Sequence, residues 1–183
     1  MADRPFDQVL AAAQAGDGRA FEDLYSSMHR RVYAFVEVRG ASDPEALVSD
    51  VFMKVFTNIS AFVGTETQYS AWVFKIARNQ LIDESRRRSR RVGESTLTPD
   101  HDPVAADDVE MGGLAHLGDD WVRTQLTVLT QEQRDVVVLR VVSGLTIEEV
   151  AEVLDKRVGA IKALQRRAFR TLARNLERQA VPK

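Results

Sequence analysis

Between Lys156 and Arg178 the chain carries eight Lys or Arg side chains and one acid, Glu177. Lys162, Arg166 and Arg170 recur at every fourth residue, a spacing that stacks side chains on one face of a helix. Arg167 and Arg174 broaden that ridge, and Arg157 stands just before it. A row of cations on one helix face suits the major groove of duplex DNA, some side chains touching phosphate and one or two reaching base edges. For Arg170, Arg174 and Arg178 a structural role is equally compatible, because the macrodipole favours cations near a helix C-terminus. A second constellation lies upstream. Asn79 follows Lys75 by four residues, with Arg78 beside it and Arg86, Arg87 and Arg88 beyond. An amide next to cations fits a separated strand, whose bases expose pairing edges and whose backbone needs neutralising. Phe62 and Tyr69 border a loop containing Gly64, where a flipped base could stack, although either ring could simply anchor the loop. Trp72 shares an apolar stripe with Ile76, which favours a core role over a stacking one.

The elements that must position these groups read almost wholly as helix. Pro5 opens a first helix through Ala15, and Gly16-Asp17-Gly18 ends it. Phe21, Leu24, Tyr25, Met28, Val32, Phe35 and Val36 mark a second, stopped near Gly40. Ser42-Asp43-Pro44 opens a third, whose apolar face holds Leu47, Val48, Val51, Phe52, Val55, Phe56 and Ile59. Phe62 to Tyr69 is expected to be loop. A fourth helix carries Trp72, Val73, Ile76, Ala77, Leu81 and Ile82 into the basic tract Arg86 to Arg91. After residue 119, Trp121, Leu126 and Leu129 begin a second set, and Gln131 to Val142 supplies another helix. Thr146 and Glu149 then form a capping box ahead of Ile147, Val150, Ala151 and Leu154. Asp155 stands where the turn wants a left-handed residue, which Asp tolerates. Ile161, Leu164, Ala168 and Leu172 resume the pattern on the basic helix, which makes a helix-turn-helix.

Charge is segregated along the chain. Lys75 to Arg91 holds seven bases against Asp83 and Glu84, whereas Gly93 to Asp120 holds eight acids and no Lys or Arg. The net charge of −2 therefore does not argue against nucleic-acid binding. With Pro99, Pro103 and several glycines, the acidic stretch reads as a flexible linker. The expected architecture is all-α: two small helical domains, 1–91 and 119–183, joined by an acidic linker at 92–118. The chain has no cysteine, which excludes disulfides and thiolate metal sites. The start lacks a signal-peptide core and no apolar run reaches the length of a membrane span, so a cytoplasmic protein without membrane insertion is expected. His29, His101 and His116 are scattered, and no phosphate loop, metal-ligand cluster or nucleophile motif occurs. No catalytic residue, metal or cofactor is expected.

With both halves in view, the chain resembles a bacterial RNA polymerase sigma factor of the extracytoplasmic-function (ECF) family, in the sigma-70 superfamily. Phe21-Glu22-Asp23-Leu24-Tyr25, His29 and Val32-Tyr33 are similar to the start of region 2. Asp43 to Phe56 resembles the segment that binds the polymerase clamp helices. Ala71-Trp72-Val73-Phe74-Lys75-Ile76-Ala77-Arg78-Asn79, with Ile82-Asp83 and Arg86-Arg87-Arg88, resembles the promoter −10 helix. Gly144 to Ala151 and Val158-Gly159-Ala160-Ile161-Lys162 are similar to the region 4 helix-turn-helix. Ala163 and Leu164 depart from it, standing where polar residues often face the groove.

The resemblance implies a chain that binds core polymerase, through clamp helices and flap, and directs promoter-specific initiation. Asp50, Lys54, Val48 and Val51 are the expected core-polymerase contacts. Phe62, Tyr69, Trp72, Lys75, Arg78, Asn79, Arg86, Arg87 and Arg88 are expected at the melted −10 strand. Arg157, Lys162, Arg166, Arg167 and Arg170 are expected at the −35 duplex. Promoter DNA, duplex and single-stranded, and an anti-sigma factor are the other implied partners, in a cytoplasmic, nucleoid-associated setting. A stand-alone helix-turn-helix regulator, with an N-terminal dimerisation or sensing domain, is the alternative.

Overall fold

The computed structural model describes residues 4–93 and 120–180, and most of the expected linker at 92–118 lies outside them. All regular structure among the described residues is helical. Helix α1 spans Phe6–Gln14, α2 Gly18–Val38, α3 Pro44–Asn58 and α4 Glu66–Gly93. Their boundaries follow local chemistry. Gly16 takes φ +90°, which lets the chain reverse after α1. Asp17 then caps α2 by accepting from the Arg19 amide at 2.9 Å. Asp43 caps α3 in the same way through the Ala46 amide at 3.0 Å, with Pro44 in the first turn where its missing N–H costs nothing.

The four helices close on one apolar core. Leu24, Met28, Val32 and Phe35 of α2 meet Val51, Phe52 and Val55 of α3 and Val73, Phe74 and Ala77 of α4, all buried. Phe35 and Phe74 meet edge to face at 5.5 Å.

The stretch read as loop from Phe62 to Tyr69 is shorter than expected. A 3₁₀ turn, Ile59–Ala61, ends the preceding helix, and α4 already begins at Glu66. The cause is a capping box: the Gln68 amide donates to Thr65 Oγ1 at 3.3 Å, and the Thr65 amide donates to Gln68 Oε1 at 2.8 Å. The Thr65-x-x-Gln68 pattern is the sequence signal of this early start.

The second unit comprises α5 (Asp120–Thr127), α6 (Gln131–Val137), a π turn at Val138–Val142, α7 (Ile147–Leu154) and α8 (Val158–Ala180). The helix expected through Val142 is thus α only to Val137. Beyond it the Ser143 amide reaches the Val138 carbonyl at 3.0 Å, a five-residue step that widens the last turn. The Leu145 amide returns to the Leu139 carbonyl at 3.1 Å, and both leucines are buried. Thr146 and Glu149 form the expected box, with amide–oxygen distances of 2.7 and 3.2 Å. Asp155 adopts the left-handed conformation at φ 53°. The Lys156 amide returns to the Ala151 carbonyl at 2.9 Å and the Asp155 amide to Glu152 at 3.3 Å, which closes the turn before α8.

The two units touch. Helix α7 packs along α4, while α2 meets α6 and the π turn. Asp135 of α6 is buried and receives Arg39 Nη1 at 2.6 Å from the end of α2. Arg31 Nη1 donates to the Ser143 carbonyl at 3.2 Å, and Lys75 Nζ lies 3.3 Å from Glu152 Oε1. Burial raises the Asp135 carboxyl above the usual carboxylate range, and Arg39, Gln131 and Arg134 offset part of that rise.

Candidate nucleic-acid interfaces

Helix α8 turns Ile161, Leu164 and Ala168 into the core, a spacing of three and four that leaves its opposite face to solvent. Leu164 keeps the apolar seam where Gln165 departs from it. Lys162, Arg166, Arg167 and Arg170 occupy the exposed side. No carboxylate among the described residues pairs with any of the four; Arg167 only bends back to the Ala163 carbonyl at 3.3 Å. The ridge is therefore an uncompensated cationic surface on a rigid helix, the condition for strong attraction to a polyanion. Arg157 is also exposed but lies apart from the ridge, lining a cavity of about 670 Å³ between the two units.

Helix α4 is built differently. Lys75 and Asn79 are exposed and Arg78 is half-buried, and all three line that same cavity. Further along, Arg86 lies 3.9 Å from Asp83, Arg88 lies 3.2 Å from Glu84, and Arg87 Nε donates to the Asp83 carbonyl at 3.3 Å. Glu84 also accepts the Ser42 amide and hydroxyl, bonds that hold its pKa below the usual value against partial burial. These arginines thus remain exposed, with part of their charge already matched.

The aromatic residues sort by depth. Phe62 stacks on Trp72, centroids 5.1 Å apart and planes 27° from parallel, and both are half-buried. Tyr69 sits beneath them, 5.7 Å from Phe62 and 6.1 Å from Trp72, and is only 1% exposed. The expectation that Tyr69 borders the loop as a base contact is corrected: α4 starts early enough to place it in the core, where it anchors the loop from below. Its hydroxyl has no hydrogen-bond partner among the described residues, and burial pushes its pKa well up. At the loop tip Val63 is 93% exposed, a feature the sequence pattern did not single out. A Cβ on the next residue, Gly64, would meet Gln68 Oε1 at 2.7 Å, so a larger residue there would displace the flexible Gln68 side chain from its capping position.

On α3, Asp50 and Lys54 are exposed, and Lys54 Nζ donates to Gln80 Oε1 of α4 at 3.0 Å. Val48 and Val51, expected as polymerase contacts, are 1% and 0% exposed. They are corrected to core residues, since their side chains point into the bundle and leave no surface to offer. Met53, unremarked in the sequence, is 66% exposed beside Asp50 and Lys54 in a groove of about 1360 Å³ between α3 and α4.

Two family models match in the order of these surfaces. Residues 21–91 match sigma-70 region 2, and residues 119–172 match sigma-70, region 4. The chain is 33% identical over 175 residues to the ECF RNA polymerase sigma factor BldN of Streptomyces coelicolor, an alignment covering 92% of this chain and 65% of that protein. It is 29% identical over 174 residues to the ECF RNA polymerase sigma factor ShbA of Streptomyces griseus, covering 90% and 91%.

The chain belongs to the ECF sigma factors.

The fold of this sigma factor is similar to that of RpoE, solved in complex with the anti-sigma factor NepR from Bartonella quintana. The TM-score is 0.60 at 24% identity, covering 85% of this chain and 98% of that one. In this sigma factor α3 and all but the last two residues of α4 fall within the region 2 match, and α7 with α8 as far as Leu172 within the region 4 match.

Proposed function

We propose that this sigma factor joins core RNA polymerase, reads a −35 duplex with α8 and holds a melted −10 strand on α4. The observation that carries the reading is the unpaired cationic ridge Lys162, Arg166, Arg167 and Arg170, presented by the second helix of a helix-turn-helix. Arg157, apart from the ridge and beside Arg78 and Asn79, is left out of that contact. On α4, Asn79 and Lys75 offer an amide and an ammonium to one base and its phosphate, with Arg78 beside them and Arg86, Arg87 and Arg88 continuing along the backbone. Phe62 on its Trp72 platform, with Val63 at the loop tip, forms the apolar wall against which an extruded base packs. Asp50 and Lys54, with exposed Met53, form the polymerase-facing patch on α3.

The protein carries no chemistry of its own in this reading and acts in the cytoplasm on nucleoid DNA. Among the described residues no helix is long and apolar enough to cross a membrane. An anti-sigma factor, as bound to RpoE, is the further expected partner. The test is transcription from linear promoter fragments with core enzyme, with and without this chain, followed by start-site mapping. Start sites that appear only with the chain support the reading; tight, specific duplex binding with no stimulation of core enzyme would replace it with a stand-alone regulator.

A further inference from the structure

We propose that Gln14, the last residue of α1, is a positioning residue for strand reading: its side-chain amide fixes the Phe62–Val63 loop on which an extruded base packs. The inference rests on the reading of that loop as the base wall. Gln14 Nε2 donates to the Ile59 carbonyl at 3.0 Å and to the Phe62 carbonyl at 2.8 Å. Both partners are acceptors, so only the nitrogen of the amide can face them, and both of its N–H bonds are used. These carbonyls belong to the first residue of the 3₁₀ turn and to the residue that caps it. The Phe62 amide closes the same turn on the Ile59 carbonyl at 3.0 Å. One side chain thus ties both ends of the turn to a helix 45 and 48 positions earlier in the chain.

The hold is aimed at the loop tip. At Phe62 the backbone becomes extended, with ψ 131°, and the next fixed point is the Thr65 amide, which donates to Gln68 Oε1 at 2.8 Å. Val63, 93% exposed, and Gly64 span the gap between these two pins. So short a tip, pinned at both ends, presents the Phe62 ring and the Val63 side chain in one arrangement, which is what a pocket for a single base needs. A second route from the same helix supports the ring. Phe6 of α1 lies 5.7 Å from Tyr69, and Tyr69 lies 5.7 Å from Phe62 and 6.1 Å from Trp72. Helix α1 is itself anchored: Val9, Leu10 and Ala13 are buried, and the Gly16 and Asp17 amides return to the Ala13 and Ala12 carbonyls at 2.9 and 3.0 Å. Gln14 is exposed, so it adds little to the core, and its two bonds go to the backbone that carries the wall. Helix α1 also precedes residues 21–91, so the wall in this chain is completed by a helix outside the region 2 match.

The test uses holoenzyme assembled from core enzyme and the full chain. The probes are fluorescein-labelled single-stranded oligonucleotides spanning the −10 region of a promoter mapped with this chain, each with one base in turn replaced by an abasic site. At the position of the extruded base, wild type should bind the intact strand about tenfold more tightly than the abasic one, within the range that base–aromatic stacking supplies. Gln14→Met keeps the size and loses the donor, whereas Gln14→Glu sets a carboxylate against the two carbonyls. Each should cut that ratio to about threefold or less, as loss of a preorganised wall does. With Gln14→Met, affinity for the abasic strand should stay within about twofold of wild type, because phosphate contacts are untouched. Gln14→Lys puts donors back and should restore a ratio near tenfold; both strands carry the same phosphates, so its added charge cancels in the ratio. A merely structural role would shift thermal unfolding without moving the ratio. A wild-type ratio in both Gln14→Met and Gln14→Glu, alongside a lost ratio in Phe62→Ala, overturns the assignment of Gln14. A ratio that Gln14→Lys leaves at the Gln14→Met level overturns donation to the carbonyls as its means. If Phe62→Ala itself keeps the wild-type ratio, the loop is not the base wall and the functional reading of the loop falls, whatever the Gln14 variants do.

Discussion

Helices α4 and α8 are both long, basic and exposed over much of one face, yet the proposed function assigns them opposite states of DNA. On α8 the cations Lys162, Arg166, Arg167 and Arg170 form a bare ridge, with no carboxylate among the described residues paired to them and a single exposed ring, Phe169, on the same helix. That suits a duplex, whose charge lies on a regular outer surface and whose base edges lie in a groove. On α4 the cations are as numerous but partly matched by Asp83 and Glu84, and they share the unit with a Phe62–Trp72 stack. That suits a single strand, where ring faces and pairing edges replace raw charge. The difference teaches that net charge alone does not say which form of nucleic acid a helix takes; the company the charges keep does.

The sharpest way to break this contrast is to strip the ridge. The triple variant Lys162→Ala, Arg166→Ala and Arg167→Ala should reduce promoter affinity of the holoenzyme by about 10²-fold or more at moderate salt. It should also lower the slope of log affinity against log salt by about three if each side chain meets a phosphate. Measuring binding across a salt series checks both, and an unchanged slope would mean that these side chains do not meet phosphate.

Asn79→Ala should act on the other side of the comparison. A lost base contact of about 1–3 kcal/mol should reduce strand opening roughly tenfold or more while closed binding stays near wild type. Permanganate reactivity of duplex and pre-melted templates reads the two steps apart; equal opening by mutant and wild type on the duplex would sink the assignment.

Asp50→Arg should lower affinity for core enzyme by roughly 1 kcal/mol or more, as a charge reversal in an interface does, with helicity by circular dichroism unchanged. Wild-type core affinity would move the polymerase contact elsewhere on region 2.

Tyr69→Phe should have the smallest effect. Removing a buried hydroxyl that has no partner among the described residues should leave stability within about 1 kcal/mol of wild type near neutral pH, or raise it slightly. Because burial raises the Tyr69 pKa above its ordinary value of 10.0, the folded chain holds that proton after the unfolded chain has lost it. Stability is therefore intact below about pH 10 and falls as pH rises above it. Thermal unfolding of Tyr69→Phe should show a shallower alkaline decline, while strand binding stays at the wild-type level because the ring anchors the loop and does not touch DNA.

Much of this organisation was legible in residue order alone, for reasons that are local. A capping box needs only two side chains three apart, so Thr146 and Glu149 fixed the start of α7 before any packing was known. Asp155 declared the turn because few other side chains tolerate φ 53°. The α8 ridge was readable because helical period sorts its cations from Ile161, Leu164 and Ala168. Burial decided what period could not. Val48 and Val51 sit close to Asp50 and Lys54 in sequence, but only the closeness of α2 and α4 shows that the valines are sealed and the charged pair is not. Tyr69 reads equally as a base platform or a loop anchor until α4 starts at Glu66 and carries it inward. The pairing of Lys75 with Glu152, and of Arg39 with Asp135, joins residues 77 and 96 positions apart. No periodicity extends that far, and contacts of such separation exist only because two separately folded helical units come to rest against each other.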